Sequence, residues 1–281
     1  MSTDQTIEIR PLAERDIEAA MRLKELAGWN QTEADWRRLL GLAPGGCFAA
    51  WADGRLVATT TTTAYGQELA WIGMVLVDPE YRRRGIATAL MRAALDHLQG
   101  AGVATIKLDA TPAGRGVYEA LGFVTEGLFE RWECAEARPG AAEVRASELR
   151  DWTGALALDR RAFGADRGAL LEALRADASV TPLEIAGRGF ALARRGTAAS
   201  YAGPVVAADP AAAVALLDGL LGQLAGGRSY LDFNTGCGVG RAELEARGFA
   251  KQRDLVRMRR GAESGAGTSP LVFAIAGPEV G

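Results

Sequence analysis

Apolar and polar residues alternate through IEIRPL (residues 7–12), the two-residue period of a half-buried strand. The period then lengthens. In AERDIEAAMRLKELAG (13–28) Ile17, Met21 and Leu23 fall at helical spacing, and Gly28 is placed to stop the helix. TEADWRRLLGL (32–42) sets Thr32 and Asp35 at capping-box spacing and predicts a second helix. CFAAWADGRLVATTTTTAYG (47–66) reads as two strands around an Asp53-Gly54 hairpin turn, with the threonine run 59–63 favouring extended backbone. ELAWIGMVLV (68–77) is a third strand of that meander. A helix over GIATALMRAALDHLQGAG (85–102), a strand at ATIKLDA (104–110), a short helix at GRGVYEALGF (114–123) and a strand at VTEGLFERWECA (124–135) complete the order βααβββαβαβ, an α/β layer fold.

Past residue 139 the pattern restarts. AEVRASELRDWTGALALDRRAFG echoes the first strand and helix, GFALARRGTAASYAGPVVAADP echoes the strand pair, and SYLDFNTGCGVGRAELEARGF echoes IKLDATPAGRGVYEALGF. Both halves place Leu-Asp on a strand and Gly-Phe after a short helix. The chain is expected to carry one fold twice, as domains 1–138 and 139–281, joined near EARPGAAE. GAESGAGTSP is linker-like, and LVFAIAG is a last short strand expected to dock back onto a sheet.

Composition narrows the class. Of 281 residues, 48% are hydrophobic and 24% charged, which predicts a packed globular core. No apolar run is long enough to span a bilayer, and the N-terminus lacks the pattern of a signal peptide, so no membrane role and a cytoplasmic location are expected. The net charge of −3 argues against a general nucleic-acid binder. Cys47, Cys134 and Cys237 form no CxxC pair, so reduced thiols and no metal site are expected. Positive charge gathers at one place, YRRRGIATAL (81–90), after a strand ending in VDP.

That place has a physical reading. A strand ends at Val77, Asp78-Pro79 turns the chain, and the amides from Arg83 to Thr88 enter the first turn of a helix. Such amides lack intrahelical acceptors, and the helix dipole adds partial positive charge. Gly85 and the small Ala87 let a phosphate approach the backbone, and the arginines add charge-assisted contacts. No GK[ST] or GxGxxG is present, which argues against a P-loop and a dinucleotide fold. Arg82-x-x-Gly85-x-Ala87 after VLVDP, with YEALGF downstream, resembles motif A and the following helix of the GNAT superfamily of N-acetyltransferases, over residues 7–134. The repeat makes the chain resemble tandem GNAT proteins, each fold a mixed, mostly antiparallel sheet flanked by helices.

The resemblance implies acetyl-CoA as co-substrate. Arg83, Arg84, Gly85, Ile86, Ala87 and Thr88 would hold its pyrophosphate, and backbone groups of Val75, Leu76 and Val77 would meet the pantetheine arm and acetyl carbonyl, because the strand there splays from its neighbour. Tyr118 matches the tyrosine that protonates the departing thiolate, so a primary amine would be acetylated by direct attack. The asparagine common seven residues before that tyrosine is Thr111 here. Asp109 is the nearest carboxylate for a general base; a water relay, Glu33 or Asp35 are the alternatives. His97, the one histidine, receives no role.

The second half keeps Asp209-Pro210 but has no counterpart of the arginines or Gly85, and Leu244 stands where Tyr118 stands. It is expected to be a degenerate GNAT-like domain. DRRAFGADR, including Arg167, reads as a solvated helix face or as part of an acceptor pocket or domain interface. The acceptor is expected to be a small-molecule amine rather than a protein, and the protein a monomer or homodimer. A competing function is a non-catalytic acyl-CoA-binding sensor or interaction module.

Overall fold

The computed structural model describes residues 7–140, 144–263 and 269–281; parts of the expected junction and of the linker GAESGAGTSP lie outside them. The first half runs β1 (Ile7–Pro11), α1 (Ile17–Leu26), α2 (Glu33–Leu42), β2 (Phe48–Ala52), β3 (Arg55–Tyr65), β4 (Leu69–Val77), α3 (Ile86–Gly100), β5 (Thr105–Ala110), α4 (Arg115–Ala120) and β6 (Val124–Cys134). The second runs β7 (Ser147–Glu148), α5 (Trp152–Phe163), α6 (Gly168–Ala176), β8 (Leu183–Ile185), β9 (Gly189–Arg194), β10 (Ser200–Ala207), α7 (Pro210–Gln223), β11 (Ser229–Asn234), α8 (Arg241–Glu245), β12 (Ala250–Gly261) and β13 (Val272–Ala274). Local chemistry sets these boundaries. Thr32 Oγ1 accepts the Asp35 N–H at 3.3 Å while Asp35 Oδ2 accepts the Thr32 N–H at 2.8 Å, the reciprocal cap that starts α2. Asp53 and Gly54, at φ 50° and 78°, make the tight turn between β2 and β3.

The two halves do not keep separate sheets. Among the described residues the strands form a single 13-stranded sheet in the order β1-β2-β3-β4-β5-β12-β6-β11-β13-β10-β9-β8-β7. β12, from the second half, lies between β5 and β6 of the first, and β6 pairs with β11 on its other side. Pairing is antiparallel except between β4 and β5 and between β10 and β11. Side chains alternate across the sheet. On one face Leu69, Trp71 and Met74 of β4 join a core shared by α1, α2, α5 and α6, so both halves bury apolar surface together. On the other, Ala70 and Ile72 pack with α3, while α7 and α8 cover a separate cluster. Among the described residues no helix is long and apolar enough to cross a membrane.

LVFAIAG does dock onto a sheet. β10 and β11 pair directly only at Ser200↔Ser229 and Tyr201↔Tyr230; beyond that they part, and β13 fills the gap, pairing with β10 at Val205↔Ala274 and Val206↔Val272 and with β11 at Phe233↔Ala274. The chain then crosses to the first half. Trp71 Nε1 donates to Pro278 O at 3.0 Å and Tyr65 OH to Val280 O at 2.6 Å, while Arg167 of the second half donates through Nη1 to Gly281 O at 2.5 Å. Arg167 is therefore a buried clamp on the C-terminus, paired in fork geometry with Asp159, and not a solvated helix face.

The tail passes so close to β4 that only glycine fits at position 73, where a Cβ would lie 2.6 Å from Glu279 Cα and 2.7 Å from its carbonyl oxygen. Gly73→Ala is expected to push the tail away and to cost about 1–3 kcal/mol. Denaturant titration checks this; an unchanged midpoint would show that the tail yields freely there.

Candidate functional site

The site begins with an irregularity in β4. Thr59 pairs with Leu76 and Thr61 with Gly73, so Met74 and Val75 together oppose one residue, a β-bulge in which Met74 takes φ 48°. Thr59 Oγ1 fixes the bulge by donating to Met74 O at 2.9 Å. On the other edge of β4, pairing with β5 stops at Trp71↔Lys107, while β4 continues to Val77. The two strands part at that point, leaving a cleft whose walls include Met74, Val75, Thr111 and Tyr118. Val75 faces this opening, Leu76 packs into the shared core, and the Val77 carbonyl accepts Arg82 Nε at 3.2 Å.

At the end of β4 the chain turns into α3. Arg83 at φ 64° and Gly85 at φ 75° set up the entry, and Gly85 is the N-cap without a side chain to satisfy the helix end. The first intrahelical bond runs from the Ala89 N–H to the Gly85 carbonyl at 3.0 Å, so the amides of Ile86, Ala87 and Thr88 have no acceptor within the helix. A Cβ on Gly85 would meet nothing within 4 Å, so the turn is open at that residue. Ile86 buries its side chain and can offer only its amide; Arg83 is exposed; Arg84 donates to Glu80 O at 3.0 Å and lies 4.9 Å over the Tyr81 ring. The corresponding helix of the second half, α7, is differently capped. Asp209 accepts the Ala212 N–H at 2.9 Å and is paired with Arg188, so that helix end carries its own anion.

Tyr118, on α4, is 9% exposed, set edge-on to Phe123 and close against Gly114. Its hydroxyl makes no hydrogen bond among the described residues, and burial pushes its pKa up to about 12. It lines the same cleft as Met74 and Val75, so the strand bulge and the phenol predicted from sequence are brought together. Leu244, its counterpart in the second half, is fully buried in the core under α8.

Asp109 also lines the cleft, but both its oxygens are held by Arg257 of β12, at 2.8 Å each. Burial pushes its pKa up against the pull of Arg257. Glu33 faces solvent in a pair with Arg37, and Asp35 is buried under Arg38 and Arg194; neither lines the cleft at Tyr118. His97 packs edge-on to Phe48.

Several cleft residues escaped the sequence reading. Glu279 comes from the tail, buried, with Oε1 accepting from Arg194 Nη2 and Oε2 from Gln31 Nε2, both at 3.0 Å. Burial pushes its carboxyl pKa up, opposed by Arg194. Gln31, between α1 and α2, and Arg253, on β12, complete this wall. Nothing local marks them, because their meeting depends on where β12 and the tail run.

Residues 13–123 match the family model for the acetyltransferase (GNAT) family, and residues 155–274 match a model for an acetyltransferase (GNAT) domain. The chain is 29% identical over 177 residues to the uncharacterized N-acetyltransferase YitH of Bacillus subtilis (strain 168); the match covers 61% of each, less than two thirds of that curated relative. A Pyrococcus horikoshii crystal structure, described as a provisional acetyltransferase, superposes with a TM-score of 0.85 at 27% identity, over 98% of this chain and 96% of that one. A tandem GNAT protein from the clavulanic acid biosynthesis pathway shares the fold, with a TM-score of 0.62 at 15% identity over 92% of this chain and 99% of that one.

Proposed function

The chain belongs to the acetyltransferase (GNAT) family in both of its halves, and on that premise we propose that it is an acetyl-CoA-dependent N-acetyltransferase with one catalytic cleft, in the first half. One observation carries the reading: β4 runs from its parted edge at Val75, in the cleft that Tyr118 lines, to the turn that opens the uncapped start of α3. The path suits a ligand with a pyrophosphate at one end and a thioester at the other. Amides of Ile86, Ala87 and Thr88, with Arg83 and Arg84 at the rim, would receive the pyrophosphate. The free edge of β4 at Val75–Val77 would pair with the amide groups of the arm, and a backbone N–H at the bulge would polarise the acetyl carbonyl.

The reaction then needs few groups. The acceptor nitrogen bonds to the acetyl carbon, the carbon–sulfur bond breaks, and the thiolate takes the Tyr118 proton. The amine gives up a proton toward a carboxylate on the cleft wall. Glu279 is better suited to receive it than Asp109. One Glu279 oxygen is held by an uncharged amide, whereas both Asp109 oxygens are held by a guanidinium. A small-molecule amine fits a cleft that the tail and β12 wall off. The second half, with β13 in the gap between β10 and β11 and Asp209 on its helix end, would bind no CoA of its own.

Calorimetry with acetyl-CoA, followed by a thiol-release screen over amines, tests the proposal. One acetyl-CoA per chain and release with at least one amine are expected. Binding without release from any amine would favour the sensor reading. Gly85→Ala, which puts a Cβ on a residue held at φ 75° and disturbs the helix entry, is expected to raise the acetyl-CoA dissociation constant roughly tenfold, about 1.4 kcal/mol. An unchanged constant would move the pyrophosphate elsewhere.

A further inference from the structure

The acceptor side of the cleft carries an unbalanced charge. β12 pairs with β5 from Gly261↔Thr105 to Val256↔Ala110, where β5 ends. β12 runs on to Ala250, so Leu255 and Arg253 line the part of the cleft that no β5 residue covers. Most charged groups on the cleft wall have a counter-charge. Asp109 is paired with Arg257, and Glu279 with Arg194. Arg131 holds Asp232 in a fork, Nε to Oδ1 at 2.8 Å and Nη2 to Oδ2 at 2.6 Å, and Tyr201 OH adds a third bond to Asp232 at 2.9 Å. Arg253 is the exception among the described lining residues. It makes no hydrogen bond or ion pair, and its Nε is buried without a partner. Asp232 attracts it without a hydrogen bond or ion pair and is already committed to Arg131. Burial and the repulsion of Arg131 push the Arg253 pKa down, so the cation sits where the protein alone does not favour it.

A second group in the same cleft lacks a partner. Gln31 is 7% exposed, and its Nε2 is fixed on Glu279; its Oε1 is buried without a donor. The wall thus offers an unfilled acceptor beside a carboxylate, and an unfilled guanidinium fork.

Resting on the transferase reading above, we propose that the acceptor is an amine that also bears a carboxylate, with Arg253 binding the carboxylate and Gln31 Oε1 receiving an N–H of the amine. The two orphaned groups are then both satisfied by one zwitterionic ligand. A purely cationic amine, such as a polyamine, would meet Arg253 as a like charge and is disfavoured.

The test compares amino acids with the amines left when their carboxylate is removed, in a thiol-release assay with acetyl-CoA, on the wild type, Arg253→Ala and Arg253→Lys. For the wild type, lower KM with the carboxylated partner is expected. In Arg253→Ala that KM should rise roughly 10- to 100-fold, while KM for the decarboxylated partner stays level or falls and acetyl-CoA binding stays within about twofold. Arg253→Lys should recover part of the loss, because it keeps the charge but not the fork. Equal or better turnover of the decarboxylated amines by the wild type overturns the inference, as does an Arg253→Ala loss of equal size with both partners. If no amine releases thiol, the transferase reading fails by itself. Calorimetry then decides the inference: saturable binding of a carboxylated amine that Arg253→Ala abolishes supports it, and no binding overturns it.

Discussion

Ending the chain at Pro270 is expected to leave a protein that does not fold. Deletion of Leu271–Gly281 removes β13 from between β10 and β11 and strips both strands of their ladder partner. Val272, Phe273, Ala274, Ile275, Ala276 and Val280 are all buried, and they contribute to two cores, the one shared by both halves and the one under α7. Losing a buried phenylalanine side chain alone costs about 3–5 kcal/mol, against a whole-domain stability of about 5–15 kcal/mol. Polar losses add to this. Arg194 would lose Glu279 and the Ala276 carbonyl while staying buried beside Asp35, and removing one partner of such a network is more costly than never having built it. The expected readout is absence of a cooperative melt by circular dichroism, with Phe273→Ala as a milder variant that melts early but still melts. A truncated protein with the wild-type melting profile would show that the tail only decorates the sheet.

This tail also marks where sequence reading reached its limit. Elements governed by near neighbours were legible: Thr32 and Asp35 cap a helix, Asp53-Gly54 turns a hairpin, and Arg82-x-x-Gly85-x-Ala87 opens a helix whose amides are free of intrahelical acceptors. The absence of that glycine turn from the second half was legible too, and there Asp209 caps α7 instead. The choice of partner strands was not. β6 and β12 both have the composition of ordinary strands, and nothing in either states that β12 will lie between β5 and β6 rather than in a sheet of its own half. Register is set by burial on both faces of the assembled sheet, which a local window does not contain. The same holds for the cleft. Tyr118 stands in a motif, whereas Arg253 and Glu279 matter because β12 and the tail cross over to the first half. Asp109 looked like an available base in sequence because Arg257, the group that holds it, lies far along the chain.

The second half is thus part of the cleft at Tyr118 rather than an attachment. It fills its own strand gap with β13 and uses the continuation of that strand to wall the gap of the first half.

Tyr118→Phe is expected to lower kcat by roughly 100-fold, at the lower end of what a positioned acid supplies, while the dissociation constant for acetyl-CoA stays within about twofold. The phenol has what a donor needs. It lines the cleft beside the bulge at Met74 and Val75, and no described residue holds its hydroxyl. Burial raises its pKa to about 12, so the phenol is protonated throughout the neutral range, and deprotonation disarms it only as pH rises toward that value. With the phenol protonated below that value, kcat in the wild type should hold level from about pH 8 to pH 10 rather than fall with titration of the acid. In the phenylalanine variant the ring still fills its place against Phe123 and Gly114, so the fold and the cofactor path are kept while the proton is lost. The thiolate must then leave unprotonated or take a proton from water. The loss should therefore appear in kcat and not in either KM. A variant with wild-type kcat would remove Tyr118 as the acid; equal losses in kcat and in acetyl-CoA binding would make it a packing residue of the cleft.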